Sequence, residues 1–292
     1  MATMRRAASP AVGNAARRII SWRALAFALY AGVNLGLVLY FGRFPGVPHP
    51  DWELWTALRD GPIYDTDTVA PFVWSPVAAW IMSLVPVIGY WPWVALQVGS
   101  VLLVRDWRFI AIMVVSLGFW DQLAGGNTMI FVVVSGVLAL RGSRPAAIVS
   151  LALLFLMPRP LQIPLAAWLL WKMPEIRWPV AGVFVIHAAI VLGSGLTADW
   201  IENVLAHAAP LGNYGPSAHI GTAAWLAIGV PLAVWLTWRG RVGWAGLAMS
   251  PYWLAGYLLM PLIELPRPNP RPTSDVVARP SDPALSERRA RS

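Results

Sequence analysis

The sequence predicts an all-α, polytopic integral membrane protein, and three observations carry that prediction. Hydrophobic residues make up 58% of the 292-residue chain and charged residues 12%, about half the charged share of an average soluble domain. A soluble domain of this length must cover its surface with polar groups and has nowhere to hide so much apolar area. The apolar residues fall in blocks separated by short basic or polar connections, with a mean hydropathy of +0.59, as successive bilayer-crossing segments require. Many of the 18 Trp lie at the ends of those blocks, where their rings anchor helices at the interface.

Charge and cysteine content narrow the function. The net charge is +8, yet the basic residues are mostly Arg placed singly or in pairs between apolar runs. That placement orients helices and meets anionic lipid, and it argues against nucleic acid as a partner. The absence of cysteine excludes disulfides, Cys-ligated zinc and thiol catalysis.

Residues 1–18, rich in Ala and Arg, are expected to form a disordered basic N-terminus in the cytoplasm. Ile19–Phe41 reads as an uncleaved first span of a transmembrane unit covering 19–263. A first outer loop, 43–75, then concentrates Asp51, Glu53, Asp60, Asp65 and Asp67. Inside it, Asp51–Asp60 fits an amphipathic interfacial helix, with Asp51 at the N-cap after Pro50, Trp52, Trp55 and Leu58 on one face, and Gly61 as the stop.

Pro71–Val104 is apolar but broken by Pro76, Pro86, Gly89 and Pro92. The blocks Phe109–Trp120, Thr128–Leu140, Ala146–Met157, Leu161–Trp171 and Trp178–Leu192 follow, then Thr222–Trp238 and Trp244–Leu262. A second outer loop, 193–221, holds Asp199, Glu202, His207, Asn213, Tyr214 and His219. The Pro- and Arg-rich tail, 264–292, is expected to be disordered. The total is nine to eleven short transmembrane helices. Most fall below the roughly 20 residues that a perpendicular span needs, and short, Pro-broken segments at membrane depth are tolerated where they line a cavity.

Orientation gathers the polar residues. The connections Arg105–Arg108, Arg141–Arg144, Lys172–Arg177 and Arg239–Arg241 are basic and alternate with the weakly charged Asp121–Asn127, Met157–Pro160 and Gly193–Gly221. The positive-inside rule puts the basic set in the cytoplasm, provided Pro71–Val104 makes a net single or triple crossing. Asp51, Asp65, Asp67, Asp121, Gln122, Asn127 and Arg159 then share the extracytoplasmic face of a cell membrane with the second outer loop.

Several of these residues recur in order. Asp51-Trp52 with Trp55, then Gly61 and Tyr64-Asp65, then Phe72-Val73-Trp74-Ser75-Pro76 resembles the D-(F/W)-x-x-(Y/W), G-x-x-(L/I)-Y-D and F-x-Y-x-P run of glycosyltransferase family 87. Gly125-Gly126-Asn127 resembles that family's G-Q-x-N turn with Gly at the Gln position. Pro158-Arg159-Pro160 resembles its K-P element with Arg for Lys, and Ser250-Pro251-Tyr252 its late S-P element. The pieces spread from 51 to 252 in a chain shorter than that family's members. The resemblance implies a GT-C-type membrane enzyme that moves a hexose, typically mannose, from a polyprenyl-phosphate donor to a lipid or glycan acceptor, with no cofactor.

Such a transfer needs a base for the acceptor hydroxyl and donors for the departing phosphate. Asp51 is the candidate base, in competition with a purely capping role. Arg159 is a candidate phosphate partner or a snorkelling helix-end residue. Asp121, Gln122 and Asn127 are candidates for sugar hydroxyls or parts of a plain polar turn. Tyr64, Asn213 and His219 complete the candidate binding set, with solvated loop positions as the alternative for the last two. Asp65-Thr66-Asp67 spells the metal-and-nucleotide signature D-x-D but reads better as a turn or solvated acidic pair, with a metal there as the alternative; the histidines lack metal-ligand spacing, and no metal-binding residue is assigned. His187, inside an apolar block, reads as a buried structural histidine. A small-solute transporter and an inactive scaffold are the competing functions.

Overall fold

The computed structural model describes residues 10–47, 49–64, 73–207 and 215–265, with side chains from residue 24 onward except that of His207. Residues 1–9 and nearly all of the tail lie outside this range, as do Asp65, Asp67, Phe72, Asn213 and Tyr214, whereas residues 10–18, expected to be disordered, are helical. Among the described residues every regular element is helical. In order they are α1 (Pro10–Phe41), α2 (Pro50–Asp60), α3 (Pro76–Ser83), α4 (Val85–Ile88) and α5 (Tyr90–Leu102). Next come α6 (Trp107–Val115), α7 (Leu117–Gly125), α8 (Met129–Leu140), α9 (Arg144–Leu156), α10 (Ile163–Lys172) and α11 (Arg177–Gly193). Finally α12 (Thr197–His207), α13 (Ser217–Ile220), α14 (Thr222–Trp238) and α15 (Val242–Met249) lead into a 3-10 stretch, Ala255–Glu264.

Local chemistry explains the boundaries. Ser75 caps α3 through the N–H of Ala78 at 3.2 Å, and Asp106 caps α6 through Arg108 and Phe109, each satisfying otherwise orphaned N–H groups. Gly89, at φ +97°, ends α4 and turns the chain by 110° into α5; α6 and α7 meet at 74° across Ser116. Among the described residues two segments, Ala24–Phe41 and Pro174–Gly193, are each long and apolar enough to cross a membrane, and the bent pairs raise the number to four if each counts once. α8, α9, α14 and Ala255–Glu264 are apolar but shorter.

α8 is the centre of the core. Residues on all its faces are buried, and α5, α7, α9, α10 and the 255–264 stretch surround it. Glycines permit the close packing of α15, since a Cβ on Gly243 or Gly246 would lie 2.3 Å from the carbonyl oxygens of Met260 and Leu161. Small residues let helix backbones approach in this way where no hydrophobic effect drives them together. In contrast, α1, α11 and α14 turn Leu29, Val33, Leu39, Val185, Ile186 and Val234 outward.

Three expectations change. His49, and not Asp51, caps α2: its Nδ1 accepts the N–H of Asp51 at 3.2 Å, while Pro50 and Asp51 are the first helical residues. The interval 193–221, expected to be an outer loop, contains a helix, α12, in which Asp199, Glu202 and Asn203 share one face while Ile201 and Leu205 are exposed. The last apolar block, Trp244–Leu262, is not continuous. Pro251 cannot donate an N–H and breaks it, and Trp225 and Trp253 donate to the freed carbonyls of Ser250 and Leu247. His187 is half-buried and meets Ser75 Oγ at 3.1 Å, tying α11 to the start of α3.

Candidate active site

The site is built on the end of α7. Gly126 takes a left-handed φ of +63° and the N–H of Asn127 donates back to Gln122 O at 3.0 Å, the closure glycine allows without a Cβ clash. Three aromatic donors then claim the carbonyls of this helix end: Tyr90 Oη to Leu123 O, Trp55 Nε1 to Gly125 O and Trp93 Nε1 to Gly126 O, at 3.1, 3.0 and 2.7 Å. Trp55 ties α2 to the turn, and Tyr90 and Trp93 tie α5 to it. A Cβ on Gly125 would lie 2.8 Å from the His49 ring and 3.0 Å from Asp51 Oδ2.

Asn127 links the two charged candidates. Its Nδ2 donates to Asp51 Oδ2 at 2.9 Å, and its Oδ1 accepts from Arg159 Nη2 at 3.1 Å and from the N–H of Thr128 at 2.7 Å. Arg159, held extended between two prolines, is 3% exposed. Its guanidinium lies over the Trp74 ring, 5.2 Å from the centroid, and Nη2 also reaches Thr128 Oγ1. Nη1 is buried without a hydrogen-bond partner, an arrangement that costs free energy until an acceptor arrives.

Asp51, Asn127, Gln122 and Arg159 all line one cavity of about 540 Å³. Its polar side also carries Arg43, His49 and Asp121; its apolar wall comes from Leu37 and Phe41 of α1, Leu117, Leu254 and Leu258. Burial pushes the Asp51 carboxyl above its ordinary value, outweighing His49, the hydrogen bond from Asn127 and Arg159, while nearby Asp121 adds to the rise. This is the environment of a carboxylate able to accept a proton. Gln122 Oε1 is buried without a partner and so offers an acceptor to a ligand hydroxyl.

The remaining candidates fall elsewhere. Tyr64 does not line this cavity; its hydroxyl donates to Trp74 O at 3.0 Å and so supports the ring beneath Arg159. It lines a second cavity of about 380 Å³ with Asp199, Glu202 and Asn203, and burial, with Asp199 adding, raises its phenol. His219 is exposed on α13 and lines neither cavity. Asn213 lies outside the described residues. Sequence reasoning missed His49, Arg43, Trp74 and Tyr257 as site residues. A His directly before Pro50 and a carboxylate-rich helix start was the available signal for His49; Arg43 and Tyr257 carried none. Among the described residues no group of three or more His, Asp or Glu is placed to hold a metal ion.

No family model, curated protein or solved structure matches this chain. The likeness to glycosyltransferase family 87 rests on the motif residues themselves.

Proposed function

We propose that the protein is a polytopic membrane hexosyltransferase that takes a hexose, mannose for preference, from a polyprenyl-phosphate donor and passes it to a lipid or glycan acceptor on the extracytoplasmic face. The observation that carries this reading is the pairing of Asp51 and Arg159 across Asn127 in one cavity, with Arg159 Nη1 buried and unpartnered. The acceptor hydroxyl gives its proton to Asp51 as its oxygen attacks C1 of the sugar. The C1–O bond to phosphate breaks, and the departing phosphate takes up negative charge that Arg159 neutralises. Asn127 holds both groups in register, and Gln122 takes a sugar hydroxyl.

The lining suits an amphiphilic donor, since one side is charged and the other is made of leucines and Phe41 next to α1. The outward apolar faces of α1, α11 and α14 suit lipid, in which they need no polar cover. In this reading the short apolar helices are members of a nine-to-eleven-segment, GT-C-like bundle in the cell membrane, several of them ending at the cavity.

The test is sugar transfer from polyprenyl-phosphate-mannose and -glucose in purified membranes, comparing the parent with Asp51→Asn. Loss of a general base lowers the rate by about 10²- to 10⁴-fold. Equal rates in the two proteins would remove the mechanism, and solute uptake without transfer would replace it with a transporter.

A further inference from the structure

We infer that His49, held by Asp121, is a positioning residue for Asp51: it presents the carboxylate to the cavity and shields it from the second carboxylate beside it. This deepens the reading of Asp51 as the base and rests on it.

Three observations converge. First, His49 takes over the cap of α2. Its Nδ1 accepts the Asp51 N–H at 3.2 Å and its carbonyl accepts from Trp52 and Glu53, so the Asp51 side chain is released from capping and turns to Asn127. Second, an accepting Nδ1 places the proton of the neutral ring on Nε2. That atom lies 3.6 Å from Asp121 Oδ1, an oxygen that Arg43 Nε approaches at 3.4 Å. Third, the ring has no freedom to turn away. Its side chain is 8% exposed, and it packs where a Cβ of Gly125 would stand.

The groups facing Asp51 are therefore the neutral His49 ring ahead of α2, Asp121 on α7 and Arg159 before α10, with Arg43 beside Asp121 from the loop after α1. Asp51 and Asp121 line the same cavity, and two carboxylates there disfavour each other's ionisation. The His49 ring takes the Asp51 N–H on Nδ1 and turns its Nε2–H toward Asp121 Oδ1, so it draws the Asp121 charge toward itself, weakens that repulsion and leaves the Asp51 carboxylate open to the cavity.

The experiment is an infrared titration of the Asp51 carboxyl in the detergent-solubilised full chain, identified by subtracting the Asp51→Asn spectrum, together with the pH profile of transfer. His49→Asn retains a good cap but lacks Nε2, so the Asp51 midpoint moves up. Asp121→Asn removes the repelling charge, so the midpoint moves down, and the acid limb of the transfer profile follows in each case. A role confined to capping leaves the midpoint of His49→Asn in place, and that result overturns the inference, as does a downward shift in that variant. Should His49→Asn fail to fold, His49→Ser, which also caps a helix start and lacks Nε2, is read in its place. Opposed shifts without any sugar transfer would sink the enzymatic reading and leave the charge pairing standing; Asp51-dependent transfer with unmoved midpoints would do the reverse.

Discussion

Gly125→Ala tests the geometry of the site through a single methyl group. Alanine is the better helix former, by about 0.5–1 kcal/mol, and Gly125 does not have a positive φ, so the backbone accepts the change. The added Cβ, however, falls 2.8 Å from the His49 ring and 3.0 Å from Asp51 Oδ2. Neither side can withdraw easily. Gly125 O is held by Trp55, whose side chain is fully buried, and Gly126 O by Trp93. Overpacking of this kind costs about 1–3 kcal/mol, which the helix gain partly offsets, leaving a net loss of roughly 0–2 kcal/mol. Asp51 and His49 must move by several tenths of an ångström, and misplacement of up to an ångström at a reacting group lowers the rate by up to about 10²-fold. Thermal unfolding followed by Trp fluorescence in detergent should show a melting point within a few degrees of the parent, while transfer in membranes falls by one to two orders of magnitude. A folded Gly125→Ala protein transferring at the parental rate would refute the claim that this contact sets the position of the base.

Other perturbations read separate parts of the structure. Asn127→Ala removes hydrogen bonds to Asp51, Arg159 and the N–H of Thr128 and leaves the Arg159 guanidinium to Thr128 Oγ1, so stability drops by about 2–4 kcal/mol in chemical denaturation and transfer is lost with it. Because burial raises the folded-state value of Asp51, the folded protein binds this proton more readily than the unfolded chain. Its contribution to stability is present at acid pH and disappears as pH rises through the raised value. Asp51→Asn therefore increases the melting point at neutral pH while abolishing transfer, and a variant that melts lower would contradict the burial argument. Ser75→Ala leaves His187 Nε2, Leu156 O and the Ala78 N–H without their shared partner, and a loss of about 1–3 kcal/mol with largely preserved transfer is expected in the same two assays.

Local chemistry made much of this architecture legible. The helix over 51–60, the break at Gly89 and the turn after Gly125 follow from residues within a few positions of one another. Asp51, Gln122, Asn127 and Arg159 were selected by hydropathy, charge alternation and motif order, and they do line one cavity. Tyr64 was selected by the same motif yet stands behind Trp74, because which layer a side chain occupies depends on its neighbours across the bundle. His219 was selected as a polar residue in an outer loop, and four residues of α13 carry it to the surface instead.

The sequence by itself determined that the chain is helical, that its apolar blocks are short and interrupted, and that its unusual carboxylates sit beside α2. Those properties depend on period, propensity and composition, which act over a few turns. The tertiary structure decided which carboxylate is free to react. Asp51 meets Asn127 across 76 positions, and Asn127 meets Arg159 across 32. Those meetings depend on a missing Cβ at Gly125 and on Trp side chains that pin one helix end against another. The cap that local sequence assigns to Asp51 passes to His49 for the same reason: the ring fits the space above Gly125, and once it accepts the Asp51 N–H, the carboxylate turns toward the cavity.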